Sequence, residues 1–442
     1  MTNWAFETRQ IHAGQTPDPT TGARALPIYQ TSSFVFPSAD VAAARFALQD
    51  LGPIYTRIGN PTTQVVEDRL ADLDGGVGAL ITSSGSAATH LALLNVAEAG
   101  DHIVSSESLY GGTASLLSNT FKKLGISVTY VDPHNPDAWR NAVQPNTKLF
   151  FAETLPNPKC DVLDLRLVAD IAHEIGVPLI VDNTVPTPYL LRPIEHGADV
   201  VIYSTTKYLG GHGRFIGGAI VDGGTFDYAQ HPERFPNYNE PDPAYHGLVY
   251  ARDLGVGGLF GANLSYILKA RVQLLRDLGP SASPHDSFLL SGGLETLSLR
   301  LDKHVANAQR VAEWLEARPE VSKVHYAGLP SSEWHENAKK YLPKGAGGVL
   351  GFELQVPDEQ AREAGLAFVS ALQLHSNLAN IGDVRSLVIH PASTTHSQLT
   401  AEQQRAAGVS PGFVRLAVGL EHIDDILADL ELGFAAVEDS VR

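Results

Sequence analysis

The chain has 442 residues, 43% of them hydrophobic, so it exceeds one typical domain and can bury two or more sizeable cores. Its 32 basic residues against 49 acidic ones give a formal net charge of −17, which disfavours nucleic acid or an anionic membrane as a partner and makes any anionic ligand depend on local cations. Cys160 is the only cysteine, which excludes an intrachain disulfide; with no basic-then-apolar start and no long apolar run, the expectation is a cytoplasmic protein without a membrane span.

Residues 1–62 are rich in Pro, Thr, Gly and aromatics with little periodicity, which suits an extended arm lying over a neighbouring subunit. From 63 to 279, strand-like and helix-like segments alternate, the pattern of a mostly parallel sheet covered by helices. The run 79–82 leads through Ser83, Ser84 and Gly85 into a helix start. Asp164 is a good N-cap for a helix burying Leu165, Val168, Ile171 and Ile175 and stopping at Gly176; an apolar strand ending in Asp182 follows. The next strand, from Ala198, runs into Ser204, Thr206, Lys207 and the glycines 210, 211 and 213. Residues 223–261 are too long and too rich in Gly, Pro, Asn and Tyr for a simple connector, and Tyr245 and His246 within them fit either a site entrance or an ordinary loop. Beyond Pro280 one long helix is expected, with Leu294, Leu297, Leu301, Val305, Ala308, Ala312 and Leu315 in a single stripe, bridging to a smaller α/β domain over 280–442.

Lys207 carries the most information. A lysine at the carboxyl end of a buried strand points into the crevice where open α/β sheets bind ligands, and desolvation there lowers its pKa towards nucleophilic reactivity. An amine so placed can form a Schiff base. Asp182 sits at a second strand end, and the Ser84–Gly85 turn offers free N–H groups and a positive helix end to an anion. Ser204 and Thr206 add hydroxyls. An amine, a buried carboxylate and a dianion cradle are what pyridoxal phosphate requires. Each residue alone also fits a bland role: Asp182 a cap or turn, Arg415 a structural ion pair, and His212, His390 and His396 packing, since none has the paired spacing of a metal site.

Together with the segments 11–15, 17–22, 55–62, 204–207, 390–397 and 414–421, in this order, these residues make the whole chain resemble the Cys/Met metabolism, or cystathionine γ-synthase-like, pyridoxal-phosphate enzymes. The resemblance implies an α/β fold, the PLP-dependent transferase fold type I, with a mostly parallel large domain and a smaller C-terminal α/β domain. It implies that Lys207 holds the cofactor as a Schiff base, that Asp182 pairs with the pyridine nitrogen, and that Tyr110 stacks on the ring and assists proton transfer. Gly85, Ser86, Ser204 and Thr206 would hold the phosphate, joined by Tyr55 and Arg57 acting on a neighbouring subunit. Asn157 would bond the phenolic oxygen, and Arg415 with Asn380 the substrate carboxylate. The site would thus belong to a dimer, within a homotetramer. The implied reaction is a γ-replacement converting O-acetylhomoserine and sulfide to homocysteine and acetate in methionine biosynthesis, with no metal; the alternative is a cystathionine γ-synthase or methionine γ-lyase-like activity on a related amino acid. A nicotinamide oxidoreductase is disfavoured, because no Gly-x-Gly-x-x-Gly turn follows a strand with an acid at suitable distance. A purely structural or binding protein would not need Lys207, Asp182 and Arg415 together.

Overall fold

The computed structural model describes residues 4–397, 400, 402, 404 and 408–440; the first three residues of the expected arm and the last two of the chain lie outside them. Seven strands form one sheet: β1 (Gly78–Thr82), β2 (His102–Ser106), β3 (Ser127–Val131), β4 (Thr147–Glu153), β5 (Leu179–Asp182), β6 (Val200–Ser204) and β7 (Gly218–Asp222). Their order is β1-β7-β6-β5-β4-β2-β3, and β7 alone runs antiparallel to its neighbours. Both faces are covered, so the strands read as continuous apolar runs in which alternate residues serve different cores. Leu80, Ile103, Phe151, Ile180, Ile202 and Ile220 pack on one side, and Ile81, Val104, Phe150, Val181 and Val201 on the other. Because the other six strands point one way, their carboxyl ends share one edge of the sheet.

The helix before β5 follows the sequence pattern closely. It spans Leu165–Ile175, the Asp164 carboxylate accepts from the Leu167 N–H at 3.3 Å, and Gly176 ends it at φ +78°. Leu165, Val168 and Ile171 are buried and Ile175 partly so.

A second sheet follows, with β8 (Val321–His325), β9 (Val349–Leu354), β10 (Ser376–Asn377), β11 (Leu387–Ile389) and β12 (Phe413–Ala417) in the order β10-β11-β12-β9-β8. The stripe expected as one helix is two, Pro284–Glu295 and Leu297–Glu316, meeting at Thr296 (φ −119°, ψ 16°). The Arg300 guanidinium donates to the Gly293 carbonyl at 2.6 Å and to Tyr208 and Leu209 carbonyls at 2.7 and 3.2 Å. The helix is thus tied to the turn after Lys207. The apolar stripe survives the break, with Leu294, Leu297, Leu301, Ala308, Ala312 and Leu315 all buried.

The N-terminal segment is less extended than its composition suggests. A helix at Phe6–His12 docks on its own chain, where Gln10 exchanges hydrogen bonds with Ser298 and Arg9 pairs with Asp72. Further on, Val35 and Phe46 stand 95% and 62% exposed, an apolar surface left uncovered by this chain. The 223–261 stretch is short helices around a buried tyrosine cluster, with Tyr228 and Tyr238 stacked at 3.9 Å. Tyr245 serves that loop: its hydroxyl donates to the Val272 carbonyl at 2.8 Å and accepts from Arg276. No helix among the described residues is long and apolar enough to cross a membrane.

Candidate active site

The shared edge of the large sheet and β12 of the small one enclose a cavity of about 280 Å³. Its lining includes Gly85, Ser86, Tyr110, Asn157, Asp182, Ser204, Thr206, Lys207, Asn380 and Arg415. Ten of the twelve residues singled out in the sequence are therefore in one place.

One end of the cavity is built to receive an anion. After β1 the Ser84 hydroxyl caps the helix Gly85–Leu94 by accepting from the Ala87 N–H at 3.0 Å. The Gly85 and Ser86 amides, in the first turn, have no hydrogen-bond partner among the described residues, so the positive helix end and two free donors are open to a ligand. Glycine is needed for the close approach to β6: a Cβ on Gly85 would stand 2.7 Å from the Ser204 Cβ. The Thr206 hydroxyl lies beside this cradle and holds Gly217, donating to its carbonyl at 3.2 Å and accepting from its N–H at 3.0 Å.

The middle of the cavity is built for a cation. Glu153 and Asp182 end adjacent strands directly opposite each other. Asp182 accepts from the Thr184 N–H at 2.8 Å and Glu153 from the Tyr110 N–H at 2.6 Å. Burial pushes the Asp182 carboxyl up to about 6, against the lowering effect of the Thr184 hydrogen bonds. Burial and then the charge of Asp182 push Glu153 well above the usual carboxylate range. Two buried carboxyls abreast with no ion-pair partner among the described residues would be stabilised by a cationic group of a ligand. Tyr110 is 54% exposed at the rim, where its ring can cover a planar ligand.

At the far wall Lys207 donates from Nζ to Asn380 Oδ1 at 2.5 Å. Burial, and secondarily the charge of Arg415, lower its pKa to about 8. Arg415 lies in β12 with Gly351 and Ile389 opposite it on either side. It donates to Asn157 Oδ1 and to the Asn380 carbonyl, both at 3.0 Å, while its Nε is buried without a partner. Burial brings its pKa down to about 10, and no carboxylate pairs with it among the described residues. A buried guanidinium left without an anion is costly unless a ligand supplies one.

Tyr55 and Arg57 are not in this cavity. The Arg57 guanidinium lies 5.4 Å from the Tyr55 ring and donates to the Arg276 carbonyl on the outside of the chain. His212 and His390 make local bonds, to the Gly210 carbonyl at 2.8 Å and to Ser393 and the Pro411 carbonyl at 2.8 and 2.7 Å. Glu153, Thr184 and Thr395 line the cavity without having been singled out as site residues in the sequence. Glu153 had a usable signal, since it ends an apolar run just as Asp182 does.

The donor set fits pyridoxal phosphate: an anion cradle, a cation-seeking carboxylate pair and a lysine of lowered pKa within one cavity. The sequence profile of the Cys/Met metabolism PLP-dependent enzymes matches residues 7–435. O-acetyl-L-homoserine sulfhydrylase of Leptospira meyeri is 54% identical over 431 residues, covering 97% of this chain and 96% of that protein. That of Corynebacterium glutamicum is 53% identical over 438 residues, 98% of each. A Campylobacter jejuni crystal structure described as an O-acetylhomoserine (thiol)-lyase with N'-pyridoxyl-lysine-5'-monophosphate superposes with TM-score 0.92 at 39% identity, over 98% of this chain and all of that one (100%). The chain, an α/β protein of PLP-dependent fold type I, belongs to the Cys/Met metabolism PLP-dependent enzyme family.

Proposed function

We propose that the protein exchanges the acetoxy group of O-acetylhomoserine for sulfide, yielding homocysteine and acetate, as a cytoplasmic enzyme of methionine biosynthesis. The observation that carries the reading is Arg415, a buried guanidinium without a carboxylate partner among the described residues, joined through Asn380 to the amine of Lys207. An amino acid with its carboxylate on Arg415 has its α-carbon presented to Lys207. Two relatives at over half identity bear the name of this activity.

When bound, pyridoxal phosphate supplies an aldehyde for an amine and a protonated ring that withdraws electrons from the substrate's α-carbon. The Gly85 and Ser86 amides and the Ser204 and Thr206 hydroxyls hold the phosphate, with Tyr55 and Arg57 of the partner subunit completing the cradle in a homotetramer built from such dimers. Asp182 keeps the ring nitrogen protonated, Asn157 bonds the phenolic oxygen, and Tyr110 covers the ring. Lys207, with a pKa of about 8, is available both as base and as acid near neutral pH. It takes the α-proton, then with Tyr110 withdraws a β-proton, and the C–O bond at the γ-carbon breaks to release acetate. Hydrogen sulfide forms the new C–S bond at that carbon, and the protons return from the same groups.

Purified, cofactor-loaded enzyme given O-acetylhomoserine and sulfide should release homocysteine and acetate in equal amounts. Acetate without homocysteine, or neither product, would overturn the assignment.

A further inference from the structure

Behind the cavity lies a second layer of polar side chains with no part in the chemistry above. Asp74, the last residue of the helix Pro61–Asp74, is fully buried; its Oδ2 accepts from the Tyr203 hydroxyl at 2.7 Å, and its Oδ1 has no partner among the described residues. The Tyr203 oxygen accepts in turn from Asn183 Nδ2 at 3.1 Å. Asn183 Oδ1 accepts from the Thr154 hydroxyl at 2.8 Å, and its Nδ2 also donates to the Leu191 carbonyl at 2.9 Å. Thr154, Asn183, Tyr203 and Asp74 are each at most 1% exposed.

The chain of bonds has a definite relation to the site. Thr154 follows Glu153, Asn183 follows Asp182, and Tyr203 precedes Ser204. One residue away from each group that lines the cavity on β4, β5 and β6 is thus a member of the buried row, and the row runs sideways across the three strand ends. Backbone bonds reinforce the same junctions: Thr154 N–H donates to the Asp182 carbonyl at 3.0 Å and Asn183 N–H to the Ile202 carbonyl at 2.9 Å.

Stability alone does not account for such a row. A buried carboxyl with one empty oxygen costs more than an apolar side chain of similar size, and replacing buried charged groups by apolar ones is often neutral or stabilising. Burial lifts the Asp74 carboxyl to about 7, and of the charged groups around it Arg192 and Glu195 act in opposite senses without bonding to it. What a directional network provides and a leucine does not is a fixed spacing between the strand ends.

We propose that Asp74, acting through Tyr203 and Asn183, is a positioning residue that sets the spacing of Asp182 and Ser204, the two anchors the cofactor spans. The proposal rests on the assignment of those two residues as cofactor anchors. It is tested on full-length protein carrying Tyr203→Phe or Asp74→Asn. The readouts are cofactor dissociation, the pH titration of the bound cofactor's absorbance, the melting temperature without cofactor, and kcat against KM. Cofactor affinity should weaken about tenfold and the absorbance titration should move, because small displacements of anchoring groups are strongly felt by a rigid ligand. Turnover should fall with KM for O-acetylhomoserine nearly unchanged, since Arg415 and Asn380 lie outside the network. Lower melting temperature with wild-type cofactor affinity and wild-type absorbance titration would overturn the proposal. Asp74→Asn, which introduces no unpaired charge and keeps an acceptor for Tyr203, carries the test should Tyr203→Phe fail to fold. Wild-type enzyme inactive on O-acetylhomoserine would strike the activity assignment alone, because affinity and absorbance still decide the positioning role.

Discussion

Replacing Arg415 by methionine separates binding from folding. Arg415 is 7% exposed, holds Asn157 and the Asn380 carbonyl at 3.0 Å each, and has a buried Nε with no partner among the described residues. In the folded protein without substrate, the change removes an uncompensated buried charge, a gain, and leaves two acceptors unpaired at about 1–3 kcal/mol each, a loss. The opposing terms leave stability within about 2 kcal/mol of wild type, or a few degrees in melting temperature. For the substrate the terms do not oppose. Two charge-assisted bonds to its carboxylate, each about 1.5–3 kcal/mol, disappear together, so kcat/KM should fall by about 10²–10⁴. Arg415→Lys should recover little of this, because an ammonium cannot form the paired bonds of the planar fork. Steady-state kinetics with O-acetylhomoserine beside thermal melting is the assay. A kcat/KM within about fivefold of wild type would refute the placement of the carboxylate on Arg415.

Lys207→Ala should abolish the yellow absorbance of cofactor-loaded protein while leaving the fold intact by circular dichroism; persistence of that absorbance would contradict the role of the lysine. In wild type, cofactor uptake by apoprotein should accelerate as pH rises and level off above about pH 9, because a folded pKa of about 8, lowered by burial, exposes the neutral amine well below the usual 10.5; a rate still climbing near pH 10 would contradict the lowering. Gly85→Ala places a Cβ 2.7 Å from Ser204, backed by strand backbone, and should weaken cofactor affinity at least tenfold by spreading the anion cradle; unchanged affinity in equilibrium dialysis would count against the cradle. Mixed Lys207→Ala and Arg57→Ala chains, dissociated and reassembled, should regain about a quarter of wild-type activity, since half the dimers are hybrid and each has one intact site; no recovery would contradict a shared site.

The sequence exposed the parts of this structure that depend on local rules. The helix ending at Gly176 and the strand ending at Asp182 follow from an N-cap, an apolar period and a glycine stop. The cavity was legible because Gly85, Asp182, Ser204 and Lys207 all sit at strand ends, and parallel strands bring their ends together. What could not be read depends on pairing between distant segments. Glu153 looks like any polar residue after a strand until the register sets it opposite Asp182. The break at Thr296 accompanies Arg300 reaching carbonyls 92 and 91 residues earlier, which no helical period records. Asp74 reads as an ordinary polar helix end, and only the packing of that helix on β1 and β7 brings it to the Tyr203 hydroxyl. Tyr55 and Arg57 lie outside their own chain's cavity, so their part in a site depends on a second copy.

The central claim is a γ-replacement with sulfide as acceptor. Its most direct test is product analysis of cofactor-loaded enzyme given O-acetylhomoserine with sulfide, with cysteine and with no acceptor. Homocysteine formed with sulfide, and little product otherwise, is the predicted result; cystathionine from cysteine, or ammonia and 2-oxobutanoate without an acceptor, would contradict it.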